Sequence, residues 1–79
     1  MEIRILGPGC PRCEEVMKRT IDVLAELDLA ADVQKITDLL KIAEYKIIAT
    51  PGFVINSKVK SVGKIPSKDE IRKWIEEEQ

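Results

Sequence analysis

The chain of 79 residues is long enough for one small domain, which we expect to span residues 1–79. Hydrophobic residues make up 44% of it, so intrinsic disorder is not expected. The net charge of −1, with both signs interspersed, gives no electrostatic basis for binding nucleic acid or an anionic membrane. No apolar run approaches the ~20 residues that span a bilayer, and no signal peptide is visible. We therefore expect a cytoplasmic protein, monomeric and not bound to membranes.

The first two elements are a strand and a long helix. The apolar run from Ile3 to Leu6 is short and rich in β-formers, and Gly7-Pro8-Gly9 ends it. Pro11 suits the first turn of a helix, which should end near Asp28. Apolar and small residues then recur at spacings of three and four and predict one buried helix face. These residues are Cys13, Val16, Met17, Thr20, Ile21, Leu24 and Leu27.

The middle of the chain predicts a second strand and a short helix. Ala31 to Ile36 has a weak strand pattern. Thr37 or Asp38 is suited to cap a helix that runs to about Glu44.

The last third predicts a hairpin followed by a helix. Phe53 to Ile55 and Val59 to Val62 flank Asn56-Ser57-Lys58, which indicates a tight turn between two strands. Asn56 tolerates the left-handed conformation that such turns need, although the usual glycine after it is Ser57 here. Ser67-Lys68-Asp69-Glu70 is a capping box and opens a helix with Ile71, Trp74 and Ile75 on its apolar face.

The predicted order is βαβαββα, an α/β fold. A strand–helix–strand unit implies a parallel strand pair, and the late hairpin adds antiparallel strands. We therefore expect a mixed four-stranded sheet with helices on both faces.

A cysteine pair, Cys10-Pro11-Arg12-Cys13, is the chemical centre of the sequence. Cys10 is predicted at the helix N-terminus, where backbone N–H groups favour the reactive thiolate, and Arg12 adds a nearby cation that tunes it together with Pro11. Cys13 is predicted on the apolar face, where desolvation disfavours a thiolate. The pattern thus indicates a nucleophile, Cys10, and a resolving thiol, Cys13. Gly7 and Gly9 are predicted to let the backbone bend sharply just before the pair.

Other uses of a cysteine pair remain open. A zinc site needs about four ligands, and the chain has two Cys and no His. A structural disulfide would close too small a loop to constrain the unfolded chain much. Copper(I) carriage suits two soft thiolates and is the main alternative from a binding class. A scaffold in which both cysteines are incidental is a further possibility.

These motifs support a resemblance to a known family. Residues 7–13 after a first strand, Thr50-Pro51-Gly52 before the hairpin and Gly63 after it resemble the thioredoxin superfamily. The resemblance covers nearly the whole chain and is closest to the small archaeal and bacterial proteins called redox-active disulfide protein 2. It implies a thioredoxin-like fold and a cis Thr50–Pro51 bond facing the cysteines. It also implies that the backbone of Thr50 pairs with substrate; without that context, Thr50-Pro51-Gly52 reads as an ordinary turn.

The resemblance implies a thiol–disulfide oxidoreductase acting on disulfide-containing proteins. Cys10 would attack the substrate disulfide, Cys13 would release the product, and a thioredoxin-reductase-like donor would reduce the pair again. The redox-active Cys10–Cys13 disulfide would serve without a further cofactor or metal.

Three departures from the family pattern affect this expectation. Gly9 occupies the place of the usual Trp before the pair, and the buried Asp of typical thioredoxins falls near Arg4. Glu14 is a possible substitute proton acceptor, although a solvated helix residue is the simpler reading. Gly63-Lys64-Ile65-Pro66 lacks the glutathione-binding pattern of glutaredoxins, so a glutathione site is not expected.

Overall fold

Strands and helices follow one another as the hydrophobic pattern predicts. A computed structural model describes residues 1–8, 11–47 and 49–79; Gly9, Cys10 and Ile48 lie outside the described residues. The elements are β1 (Glu2–Leu6), α1 (Pro11–Leu27), β2 (Asp32–Ile36), α2 (Leu39–Glu44), β3 (Gly52–Ile55), β4 (Lys58–Val62) and α3 (Lys68–Glu77). The predicted βαβαββα order is confirmed.

The four strands form one mixed sheet in the order β2-β1-β3-β4. β1 is parallel to β2, whereas β3 is antiparallel to both β1 and β4. Leu6, the last residue of β1, is paired with Gly52, the first residue of β3. The segment that follows β1 and the segment that precedes β3 therefore lie next to each other, at the same end of these two central strands.

The larger core lies between the sheet and the pair of helices α1 and α3. Its buried residues are Ile3, Ile5, Cys13, Val16, Val23, Leu24, Phe53, Ile55, Ile71 and Ile75. The rings of Phe53 and Trp74 stand 5.7 Å apart between centroids and are tilted by 35°, an arrangement that aromatic pairs favour. With few aromatic residues, this core depends mainly on Ile and Val.

The opposite face of the sheet carries the short helix α2. Its Ile42 packs with Leu6 and Val54 in a second, smaller core. Asp38 caps α2 by accepting a hydrogen bond from the backbone N–H of Leu40 at 2.9 Å. Helices thus lie on both faces of the sheet, as predicted.

The buried face of α1 differs from the prediction at two positions. Ile21 is 53% exposed, whereas Val23 is fully buried. At 3.6 residues per turn the buried face is centred on Thr20, and Ile21 lies roughly 100° from the centre of that face. In the described part of the chain, no helix is both long enough and apolar enough to cross a bilayer.

The hairpin turn is tighter than the sequence suggests. Ile55 pairs directly with Lys58, so the loop has only Asn56 and Ser57. Both have positive φ, 50° and 68°, as the favoured hairpin turns require. Asn56 is tied to β1 because its side-chain oxygen accepts from the N–H of Glu2 at 2.9 Å.

Candidate active site

Cys13 lies at the meeting point of β1, α1 and the segment before β3. Only 1% of its surface is exposed. A Cβ atom added to Gly7 would overlap the Sγ of Cys13 and lie 3.9 Å from the Cβ of Thr50. The structure therefore brings Gly7, Cys13 and Thr50 together, although the last two are 37 positions apart in the sequence.

Gly7 has no side chain and therefore leaves room for the sulfur of Cys13. Among the described glycines the positive φ belongs to Gly63, at 76°, so Gly7 does not use a left-handed bend. The chain bends at Gly7, as predicted, and the space needed by the Cys13 sulfur is a further physical reason for a glycine there, whereas Gly9 lies outside the described residues. The N–H of Gly7 donates to the carbonyl of Ile36 at 3.0 Å, which fixes the segment against β2.

The Thr50–Pro51 segment also borders the site. The Thr50–Pro51 bond is cis, as the family resemblance implies. Pro51 is buried and Thr50 is half-buried. Within the part of the chain that the structure describes, the backbone N–H and C=O of Thr50 make no hydrogen bond.

Arg12 connects the start of α1 to this segment. Its guanidinium donates to the carbonyl of Gly63 at 3.0 Å, and the N–H of Gly63 donates to the carbonyl of Pro51 at 2.9 Å. The sequence marked Arg12 as a tuning residue and Gly63 as part of a family pattern. Their contact spans 51 positions of sequence, and no local pattern indicates it.

The predicted nucleophile, Cys10, lies outside the described residues, as does its predicted approach to Pro51. Pro11 is the first residue of α1 and is exposed, as is Arg12. The predicted burial of Cys13 is confirmed, whereas the division of roles between the two thiols stays a prediction.

Arg4, near the place of the family's buried Asp, and Glu14, the possible substitute proton acceptor, both make contacts elsewhere. Arg4 donates to the carbonyl of Asp32 at 2.8 Å and to its carboxylate at 3.2 Å. Because Asp32 pairs with Glu2, the Arg4 side chain reaches toward the far end of β1, away from Gly7. Glu14 is exposed and forms an ion pair with Lys35 of β2, which agrees with a surface role.

Two further features of the surface bear on binding. Within residues 1–8, 11–47 and 49–79, no cluster of three or more His, Cys, Asp or Glu side chains is placed to hold a metal ion.

An open apolar groove of about 530 Å³ lies beside the sheet edge, next to the Thr50 segment. It is lined by Tyr45, Lys46, Ile47, Ala49, Val59 and Val62. None of these lining residues belongs to the cysteine motif, so the groove is a neighbour of the site.

A mixed sheet in the order β2-β1-β3-β4, with a buried cysteine packed beside a cis-proline segment, defines a protein of the thioredoxin fold. Residues 1–76 match the family model described as "Thioredoxin domain", and the chain belongs to this family. A thioredoxin of Methanocaldococcus jannaschii is 38% identical over 73 residues, 92% of this chain and 84% of the relative. A thioredoxin of Methanothermobacter thermautotrophicus is 34% identical over 75 residues, 95% and 97% of the two chains. Membership in this family supports a function of the thiol–disulfide oxidoreductase type.

Proposed function

We propose that the protein reduces disulfide bonds of protein substrates through Cys10 and Cys13. The observation that carries the proposal is the placement of Cys13 beside Gly7 and near Thr50, whose backbone N–H and C=O make no hydrogen bond to the described residues. A thiol in this position is shielded from solvent yet lies beside a surface on which a substrate strand can pair.

The reaction consists of two thiol–disulfide exchanges. The Cys10 thiolate attacks one sulfur of the substrate disulfide, forming a mixed disulfide and expelling the other sulfur as a thiolate that takes a proton from water. Cys13 loses its proton and attacks the Cys10 sulfur, which forms the Cys10–Cys13 disulfide and expels the second substrate thiolate. Two electrons pass from the dithiol to the substrate, the protons of the two cysteine thiols go to water, and both expelled substrate thiolates take their protons from water.

The proposed roles follow from position along the chain and from burial. Cys10 directly precedes α1, and a helix N-terminus favours a thiolate. Cys13 is buried, which suits a thiol that reacts only after the mixed disulfide has formed. Thr50 offers its backbone to an extended substrate segment, and the buried Pro51 shapes the wall behind it. Pro11 and Arg12 tune the pair from between the two cysteines.

The proposal extends to partners and compartment. The oxidised pair requires a thioredoxin-reductase-like dithiol donor to return two electrons, and no cofactor beyond the cysteine pair is needed. A protein that must be kept reduced belongs in a reducing compartment such as the cytoplasm. We propose that it acts there as a monomer on disulfide-containing proteins.

The test uses Cys10→Ser and Cys13→Ser in the full chain. Wild type should reduce insulin with dithiothreitol as donor, whereas glutathione and glutathione reductase should support turnover poorly. Cys10→Ser should abolish reduction and slow alkylation near neutral pH. Cys13→Ser should retain the fast-reacting thiol and accumulate a mixed disulfide with substrate, measured by mass spectrometry.

Other outcomes would assign the cysteines differently. If Cys13 reacts faster than Cys10, or if Cys13→Ser traps nothing, the proposed division of roles is wrong. A copper(I) carrier would lose metal binding in both variants and trap a mixed disulfide in neither, so the same samples should be titrated with copper(I).

A further inference from the structure

Arg12 is an exposed cation whose side chain, among the described residues, contacts the carbonyl of Gly63. In the described part of the chain it makes no ion pair with a carboxylate. The guanidinium therefore does not serve a surface salt bridge, unlike Arg19 on the same helix, which pairs with Glu15 at 2.9 Å.

Gly63 connects Arg12, at the start of α1, to the Thr50–Pro51 segment. Its N–H donates to Pro51, and its carbonyl accepts from Arg12. A Cβ on Gly63 would lie 3.0 Å from the Cβ of Ala49, the residue before Thr50, so the Gly63 backbone also packs closely on this segment. Its φ of 76° is strained for residues other than glycine, so this connection depends on a glycine here.

From these contacts we infer that Arg12 is a positioning residue for disulfide exchange. Through Gly63 it ties the first turn of α1, which contains Cys13, to the Thr50–Pro51 segment. Because exchange requires three sulfur atoms in line, the separation between the cysteine pair and the segment that holds the substrate sets how often an attack succeeds. The inference rests on the proposed function and adds to it a link between two parts of the site.

A purely electrostatic role for Arg12 makes a different prediction. A cation beside a thiolate acts by stabilising the charged form, which moves the pH at which alkylation reaches half its maximal rate. A positioning residue changes the rate of attack on a bound disulfide even where the thiol is fully ionised. It also changes the protection of the Gly63 amide, which a charge effect on sulfur leaves alone.

The experiment compares Arg12→Met and Arg12→Gln with Lys18→Met as the matched control. Lys18 is another exposed cation of α1, and its side chain makes no hydrogen bond or ion pair within the described residues. Three quantities are measured on the full chain: amide exchange at Gly63 by NMR, alkylation rate against pH, and the rate of insulin reduction at a pH on the alkylation plateau. Circular dichroism verifies that each variant is folded.

Both Arg12 variants should exchange the Gly63 amide faster and reduce insulin about threefold to tenfold more slowly, since a hydrogen bond from a charged donor is lost. Lys18→Met should match wild type in both. The inference is overturned if the Arg12 variants match Lys18→Met in Gly63 exchange or in plateau rate, or if only their alkylation midpoint moves. A wild type that does not reduce insulin overturns the proposed function itself, and with it this inference. An active wild type with normal Arg12 variants overturns the inference alone.

Discussion

At the residue scale, the contact between Gly7 and Cys13 is the tightest feature of the site. Replacing Gly7 with Ala places a methyl group against the Cys13 sulfur, which lies beside the backbone and has little room to move. We expect Gly7→Ala to lower the free energy of unfolding by about 1–3 kcal/mol, as overpacking of a buried site does. Urea denaturation of the reduced protein measures this cost.

A double-mutant cycle isolates the cause. In Cys13→Ala the sulfur is gone and the nearest remaining atom, the Cβ of residue 13, lies 3.4 Å from the added methyl group, an ordinary contact. Gly7→Ala should therefore cost clearly less in the Cys13→Ala background. An equal cost in both backgrounds would show that the sulfur contact is not responsible.

Individual residues were predictable where a local rule governs them. Ser67 caps α3 because its hydroxyl oxygen accepts from the free backbone N–H of Glu70. In return, the backbone N–H of Ser67 donates to the Glu70 carboxylate. Cys13 was predicted to be buried from helical spacing alone, whereas the exposure of Ile21 depended on where the buried face is centred. The Arg12–Gly63–Pro51 contacts join three separate segments, and no periodicity or capping rule encodes such an encounter.

At the element scale, the β3–β4 hairpin retains a local strain. Ser57 has a φ of 68°, a conformation that costs residues with a side chain about 1–2 kcal/mol. Ser57→Gly removes that cost but increases the conformational entropy of the unfolded chain, which opposes folding. We therefore expect a net stabilisation of about 0.5 kcal/mol. Ser57→Ala, which retains a Cβ, is the control and should not stabilise. Thermal unfolding of wild type and both variants tests this expectation. A Ser57→Gly variant that melts at the same temperature as wild type and Ser57→Ala would show that Ser57 is not strained.

The element order was predictable because each element has its own pattern of apolar residues. The boundaries were less so: β4 begins at Lys58 rather than Val59, since the two-residue loop lets Lys58 pair with Ile55. The weakest pattern, that of β2, reflects its place at the edge of the sheet, where none of its residues is fully buried.

At the scale of the whole molecule, ion pairs join α3 to its neighbours. The hydrogen bond from Lys68 lowers the pKa of Glu26, which also pairs with Arg72, and the same bond raises the pKa of Lys68. Hydrogen bonds from Lys60 and Lys58 lower the pKa of Glu78. A lowered carboxyl pKa contributes stability that is present above the unfolded-state pKa of about 4.3 and is lost as the pH falls through the lowered value. The side chains of Glu26, Lys68 and Arg72 are about two-fifths exposed, so salt should weaken their contribution, whereas Lys60 and Glu78 are largely buried and should be screened less.

The bridge from Glu26 to Lys68 and Arg72 joins α1 to α3, so its loss should appear in the acid stability of the entire fold. Glu26→Gln should lower the free energy of unfolding at pH 7, and the difference from wild type should disappear as the pH falls through the lowered pKa of Glu26. The difference should shrink in high salt. Glu44→Gln is the control, because Glu44 is exposed and its side chain makes no ion pair within the described residues. Urea titrations from pH 7 to pH 3 measure all three proteins. A Glu26→Gln curve that runs parallel to wild type over this range would show that the bridge between α1 and α3 contributes nothing to stability.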